Sequence, residues 1–278
     1  MTDQQSRFER LKALHFGDRA FVIPNPWDAG SARLLASLGF EALATTSAGY
    51  AFSKGRRDST LGRGDILANA AEIVGATDLP VSADLEDGFG VAPETCAETI
   101  RMACEVGLVG GSIEDATGDP AAPIHDIALA VERVHAAAEA ARDLPFVLTA
   151  RAENFLWGRP DLDDTIRRLQ AFSGAGADVL YAPGLPDIEA IRAVCGAVDR
   201  PVNVVMGLSG PTYSVAELTA AGVRRISVGG SFARAALGGL MRAAEEVRTA
   251  GTFTYAADAI PGATVARLMT GARPVDRG

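Results

Sequence analysis

A chain of 278 residues, 48% hydrophobic and 22% charged, has a globular composition with ample apolar material for a large core. Its net charge of −9 argues against a nucleic-acid or anionic-membrane partner, and no apolar run approaches the roughly eighteen residues that a membrane span needs. Cys96, Cys104 and Cys195 show an odd count and no CxxC spacing, and residues 1–10 lack an apolar signal core, so a cytoplasmic protein without disulfides or structural zinc is expected.

In chain order, a short apolar run, a Gly- or Asp-bearing turn and an Ala/Leu/Arg/Glu-rich helical stretch recur. The spacing predicts strands at 20–25, 42–47, 80–86, 110–115, 146–153, 178–183, 201–206 and 225–230. Helical stretches are predicted at 29–38, 65–77, 93–106, 124–142, 162–175, 187–198, 214–221 and 232–249. Strands alternating with helices imply parallel pairing, and eight such units fit a TIM-type (β/α)8 barrel. A doubly wound open sheet is the rival, but it normally has fewer strands and often a glycine fingerprint that this chain lacks. After Gly251 a tail, 252–278, resumes an amphipathic run at 260–269, an additional C-terminal helical segment expected to pack on the barrel or on a neighbouring subunit. With no linker or low-complexity stretch, residues 1–278 read as one domain.

Barrels build their active sites at the C-terminal ends of the strands. Here strand one ends in Asn25-Pro26-Trp27-Asp28 and strand two in Thr45-Thr46-Ser47-Ala48-Gly49-Tyr50. Strand three offers Asp84, Glu86 and Asp87, strand four Glu114 and Asp115, strand five Arg151, Glu153 and Asn154, and strand seven Asn203. Strand six, ending in Ala182-Pro183-Gly184, offers no chemistry. Clustered carboxylates repel unless a cation sits among them, and hard cations such as Mg²⁺ take oxygen ligands. Asp84 is the leading direct ligand, with Glu86 and Glu114 binding directly or through water; the competing reading is a solvated acidic turn. Arg151 can grip a substrate carboxylate or phosphonate in bidentate fashion, or pair with Glu153 or Glu114, and the two roles can coexist. Thr46 and Ser47 either bind the other end of an anionic substrate or cap a turn. His15 and His135 fall in helical stretches and read as packing or surface groups, whereas His125, after Gly118-Asp119-Pro120, is kept as a functional candidate. Glycines at 207–210 and 229–230 lie where many barrels bind phosphate, but no lysine is near.

With these residues in place, the chain resembles the isocitrate lyase/phosphoenolpyruvate mutase superfamily over almost its whole length. The likeness is carried by Asn25-Pro26-Trp27-Asp28, Thr45 to Gly49, Asp58, Asp84-Leu85-Glu86-Asp87-Gly88-Phe89-Gly90, Ser112-Ile113-Glu114-Asp115, Thr149-Ala150-Arg151 and Ala175-Gly176-Ala177-Asp178. The resemblance implies a Mg²⁺-dependent barrel, with Mn²⁺ as the alternative ion, that stabilises an enolate on the metal. It implies a small-molecule carboxylate substrate and a homotetramer. It also implies Asp84 as direct metal ligand, Glu86 where the family usually has aspartate, and Glu114 in the metal shell. Arg151 then binds the substrate carboxylate, and Thr46, Ser47 and Ala48 hold substrate oxygens through backbone N–H groups. Trp27 and Asn203 become substrate contacts, and Asp58 or His125 supplies the proton.

The departures are equally specific. The Lys-Lys/Arg-Cys-Gly-His loop of the isocitrate and methylisocitrate lyases is replaced by residues 116–125, which hold neither lysine nor cysteine. The lysine and asparagine of the phosphonate-cleaving and phosphomutase members are missing too, and Pro183 stands where strand six normally offers Glu or His. The expectation is therefore a carbon–carbon lyase or decarboxylase of a small 2-oxo or 2-hydroxy dicarboxylate. Phosphonopyruvate-type P–C hydrolase or mutase chemistry is the alternative, and a non-catalytic carboxylate-binding protein the second alternative.

Overall fold

A computed structural model of the chain describes residues 3–270. Its strands are β1 (Phe21–Ile23), β2 (Leu43–Ala44), β3 (Val81–Asp84), β4 (Gly110–Glu114), β5 (Val147–Arg151), β6 (Val179–Tyr181), β7 (Val202–Val205) and β8 (Arg225–Ser227). They form one parallel sheet in the order β1-β8-β7-β6-β5-β4-β3-β2. The two edges nearly close: the Ala44 N–H donates to the Pro24 carbonyl at 3.0 Å. Asn25 completes the seam, donating from Nδ2 to the Thr45 carbonyl at 2.8 Å while its Oδ1 accepts from the Val228 and Gly229 N–H groups at 2.9 Å. The expected (β/α)8 barrel is the fold.

The helices are α1 (Asp3–His15), α2 (Ala29–Ser37), α3 (Ser47–Ser53), α4 (Arg63–Gly75), α5 (Pro93–Glu105), α6 (Ile127–Ala141), α7 (Leu162–Gly174), α8 (Ile188–Ala197), α9 (Val215–Ala220), α10 (Ser231–Ala250) and α11 (Gly262–Met269). No helix among the described residues is long and apolar enough to cross a membrane. The amphipathic run at 260–269 is α11, which packs on α2 and buries Leu268. Residues 271–278 of the expected tail lie outside the described residues.

One helix was not foreseen, and a second was indicated only through His15. Strand two stops at Ala44 rather than Ser47, because the Thr46 hydroxyl accepts from the Gly49 N–H at 3.2 Å and so caps α3. Gly49 is required there, since a Cβ would come within 2.7 Å of Thr46 Cγ2. The other is α1, whose Leu11 is fully buried against Phe21, Ile23, Ala44, Val147 and Val179 at the N-terminal end of the barrel. Burying each such aliphatic side chain stabilises by about 1.5–3 kcal/mol, so α1 is a firmly seated plug. A second core lies between the sheet and the surrounding helices, around Ile66, Ile100, Val134, Leu169, Phe172 and Ile191. Above the plug the interior turns polar, with Ser82, Ser112, Thr149, Asn203, Arg225 and Ser227 all buried.

Candidate active site

The site is built on the loop that leaves β3. Leu85 is fully buried and anchors it, and the backbone then turns sharply: φ is 49° at Glu86, 76° at Gly88 and 64° at Phe89. A glutamate and a phenylalanine in the left-handed region cost about 1–3 kcal/mol each, so the surroundings must hold them. Arg133 of α6 does so, donating to the carbonyls of Asp87, Gly90 and Val91. Thr99 Oγ1 adds a bond to the Gly88 carbonyl at 2.8 Å, and the Glu114 N–H donates to the Glu86 carbonyl at 3.0 Å.

Arg151, at the end of β5, gathers the acids of three strands. Its Nη1 lies 2.9 Å from Asp84 Oδ1, its Nη2 3.0 Å from Glu114 Oε2, and its Nε 2.9 Å from Glu153 Oε1. Its guanidinium carbon stands 5.1 Å from the centre of the Tyr181 ring. Burial works to lower the Arg151 pKa, but Glu114, Glu153 and Asp84 outweigh it and hold the group well above its ordinary value. One cation does not neutralise so many buried acids. Burial, then Asp84, Asp58 and Asp87, push Glu86 up to about 8, and its Oε1 is buried with no hydrogen-bond partner among the described residues.

Ser47, the first residue of α3, joins two more acids: its Oγ is 2.8 Å from Asp84 Oδ2 and 3.2 Å from Asp58 Oδ1. The hydroxyl has one proton to give, and Asp84 is the nearer of its two acceptors. Burial and the charge of Asp84 raise the pKa of Asp58, and its Oδ1 also accepts from the Ser59 N–H at 3.0 Å.

These groups open onto a cavity of about 290 Å³. Of the residues singled out in the sequence, Thr46, Ser47, Ala48, Asp58, Asp84, Arg151 and Asn203 line it. Glu86, Glu114, His125 and Trp27 do not. Glu114 is packed against Arg151. Trp27 starts α2, its N–H donating to Ser31 Oγ at 3.0 Å and its carbonyl accepting from Asn69. His125 is pinned by its backbone, donating to the Asp115 carbonyl at 2.8 Å and accepting from Arg168, and burial followed by Arg133 lowers its pKa. Asp115 turns away from the mouth to pair with Arg168 at 3.0 Å, and its other oxygen receives the Glu153 N–H. Tyr181, Thr149, Arg225, Ser227 and Arg234 line the cavity unforeseen. Strand alternation would have shown Tyr181, which points inward beside Arg151 and belies the silence read at strand six. A larger cavity of about 420 Å³ lies between α1, α6 and the end of α7, lined by Phe8, Lys12 and His135, on the side away from the strand C-termini.

Among the described residues no three acids, histidines or cysteines converge as a finished cation cage, although Asp84 and Glu86 both act on the Glu114 carboxyl. Arg151 engages both Asp84 and Glu114. The residues nevertheless fit a hard cation. Glu86 brings an unpartnered carboxylate beside Asp84, whose Oδ1 is 3.4 Å from the Glu86 N–H, and Mg²⁺ needs only one or two carboxylates when waters complete its shell.

Fold and site together define a (β/α)8 barrel whose mouth assembles carboxylates around a single arginine at the strand C-termini. The family described as phosphoenolpyruvate phosphomutase matches residues 11–248. The chain is 30% identical to 2-methylisocitrate lyase of Escherichia coli (strain K12) over 208 residues, 70% of this chain and 69% of that one. A crystal structure from Burkholderia cenocepacia J2315, described only as a lyase/mutase, superposes with a TM-score of 0.94 at 60% identity over 96% of both chains. Oxaloacetate acetylhydrolase in complex with its product oxalate gives a TM-score of 0.86 at 26% identity over 95% of this chain and 94% of that one. The chain belongs to the isocitrate lyase/phosphoenolpyruvate mutase superfamily.

Proposed function

We propose that the protein is a divalent-cation-dependent carbon–carbon lyase or decarboxylase of a small 2-oxo or 2-hydroxy dicarboxylate. The observation that carries this reading is the unpartnered Glu86 Oε1 in the charge field of Asp84, which itself lines a small cavity together with Arg151. Asp84 and Glu86 would hold Mg²⁺ or Mn²⁺, with Glu114 reaching it through water. When bound, the cation would supply Lewis-acid polarisation of the substrate's 2-oxo or 2-hydroxy oxygen.

The chain's own groups do the rest. Arg151 fixes Asp84, Glu114 and Glu153 in place and turns its remaining donor capacity toward a substrate carboxylate. Thr46, Ser47 and Ala48 form the wall facing Asp84, and Asn203 the opposite wall. Loss of CO₂ from a 2-oxo diacid leaves an enolate that must gain a proton; in a 2-hydroxy diacid the hydroxyl gives up its proton as the C2–C3 bond breaks, and the departing carbon takes one up. Asp58 holds that proton, and Ser47 Oγ is placed to pass it inward. Asp58 faces the cavity and His125 does not, which favours Asp58 as the donor. The cavity suits a small acid rather than a sugar or nucleotide. Similarity to 2-methylisocitrate lyase and to oxaloacetate acetylhydrolase supports this substrate class.

The test is release of pyruvate or CO₂ with Mg²⁺ from oxaloacetate, substituted malates and phosphonopyruvate, with Asp84→Ala as control. Turnover of a dicarboxylate that needs the cation and is lost in D84A is expected. Turnover of phosphonopyruvate alone would replace the reading with P–C chemistry. Binding of oxalate without any turnover would make the protein a carboxylate binder.

A further inference from the structure

Beneath the acidic rim, the barrel interior holds a second arginine in the opposite electrostatic situation. Arg225, the first residue of β8, is 5% exposed and lines the same cavity as Arg151. Its Nη1 donates to Thr149 Oγ1 at 3.2 Å, and its Nε is buried without a partner. Among the described residues no carboxylate lies within ion-pair distance of it, and the groups that shift its pKa, apart from burial itself, are Tyr181 and Arg151. Burial depresses it to about 10, far below the usual arginine value. Arg151, by contrast, is paired with three acids.

A buried guanidinium without a counter-charge is costly, and among the described residues no carboxylate offsets that cost. Its neighbours are neutral. Asn203 donates to Ser227 Oγ at 3.1 Å, and Asn203 Oδ1 and Ser82 Oγ are buried with no partner among the described residues. Phe21, Ile23, Val147 and Val179 pack with Leu11 of α1, and His15 of the same helix, within reach of the Arg225 charge, has its pKa lowered to about 3, first by burial and then by Arg225. Thr149, which Arg225 touches, and Arg151 sit on one face of β5 two residues apart, roughly 6–7 Å along the strand. The cavity thus has an acidic upper end suited to a cation and a cationic lower end suited to an anion.

We propose that Arg225 receives the second carboxylate of the substrate. The dicarboxylate would enter with its 2-oxo or 2-hydroxy acid end at Asp84 and Glu86, and its other carboxylate reaching down to the Arg225 guanidinium. This assignment rests on the carboxylate-enzyme reading above and adds to it a specificity group on β8 for four-carbon and longer diacids.

The test is calorimetry of the full chain with Mg²⁺, using wild type and Arg225→Gln against two ligands. Oxalate, whose carboxylates are adjacent, reaches only the upper end; 3,3-difluorooxaloacetate is a diacid long enough to span both. R225Q is expected to weaken the difluoro compound by about 10- to 100-fold, the value of a charged hydrogen bond, and to leave oxalate within about twofold. If R225Q does not melt cooperatively, Arg225→Lys, which keeps a cation at this depth, carries the same comparison with a smaller selective loss. Equal losses for both ligands, or no loss for either, would overturn the proposal. Wild type that binds oxalate but not the longer diacid would overturn it while leaving the upper site standing. Wild type that binds neither would overturn the carboxylate reading itself.

Discussion

The guanidinium carbon of Arg151 lies 5.1 Å from the centre of the Tyr181 ring, so the cation that organises the acidic mouth rests on an aromatic face. Tyr181 follows from strand alternation on β6, and burial, its largest influence, raises its phenol pKa well above the ordinary value. Tyr181→Ala should remove this platform and cut kcat/KM by about tenfold, in line with the roughly 1–2 kcal/mol of a desolvated cation–π contact. Tyr181→Phe keeps the ring and should lose far less. Equal losses in both variants would assign the effect to the hydroxyl instead.

Glu86 gives a pH signature of the metal-free protein. Its folded pKa of about 8 exceeds the ordinary 4.5, so the folded state retains a proton that the unfolded chain releases. Its contribution to stability is therefore fully present below 4.5 and is lost as pH rises through about 8. Chemical denaturation without metal should show this decline, on the order of a few kcal/mol, and Glu86→Gln should flatten it. Added Mg²⁺ should raise stability most at the high-pH end. A wild-type profile already flat from pH 5 to about 8.5 would refute a buried, uncompensated Glu86.

Ser47 sits between Asp58 and Asp84, and removing its hydroxyl breaks the only described link between them. Ser47→Ala should lower kcat by about 10²-fold, the lower end for a positioned proton-transfer group, with little change in melting temperature. Asp58→Asn should do the same and remove the acid dependence of the rate. An S47A enzyme with unchanged kcat would eliminate the relay.

Arg133 touches no cavity-lining atom, yet it holds three carbonyls of the loop that carries Glu86. Arg133→Met should destabilise by about 1–3 kcal/mol, the cost of leaving buried acceptors unsatisfied. Because the loop stores left-handed residues, Mg²⁺ affinity measured by titration should also fall. Loss of stability with unchanged Mg²⁺ affinity would show that the loop keeps its shape without the arginine.

The fold was legible because each β–α unit repeats the same contrast between a β-branched run and an alanine-rich helix. What escaped was local. Turn capping was one of the two readings of Thr46 and Ser47, but the helix α3 that Thr46 caps was not, because the strand pattern was read through to Ser47. The acids and Arg151 stood out because they cluster at strand ends, where barrel logic looks first. Arg225 did not, because it begins its strand; only the closed barrel shows its side chain crossing to Thr149. The pairing of Asp84 and Glu114 with Arg151, which leaves Glu86 Oε1 without a partner among the described residues, was equally hidden, since it depends on which acids a single arginine engages.

The plug formed by Leu11 beneath Phe21, Ile23 and Val147 makes the barrel a blind-ended cup with one doorway. Whatever enters must leave past the same rim, and so in order of depth. A fragment severed near Asp84 departs first, and one seated further down must wait. Such a queue has a kinetic fingerprint: the later-leaving product competes directly with substrate, whereas the earlier-leaving one inhibits noncompetitively.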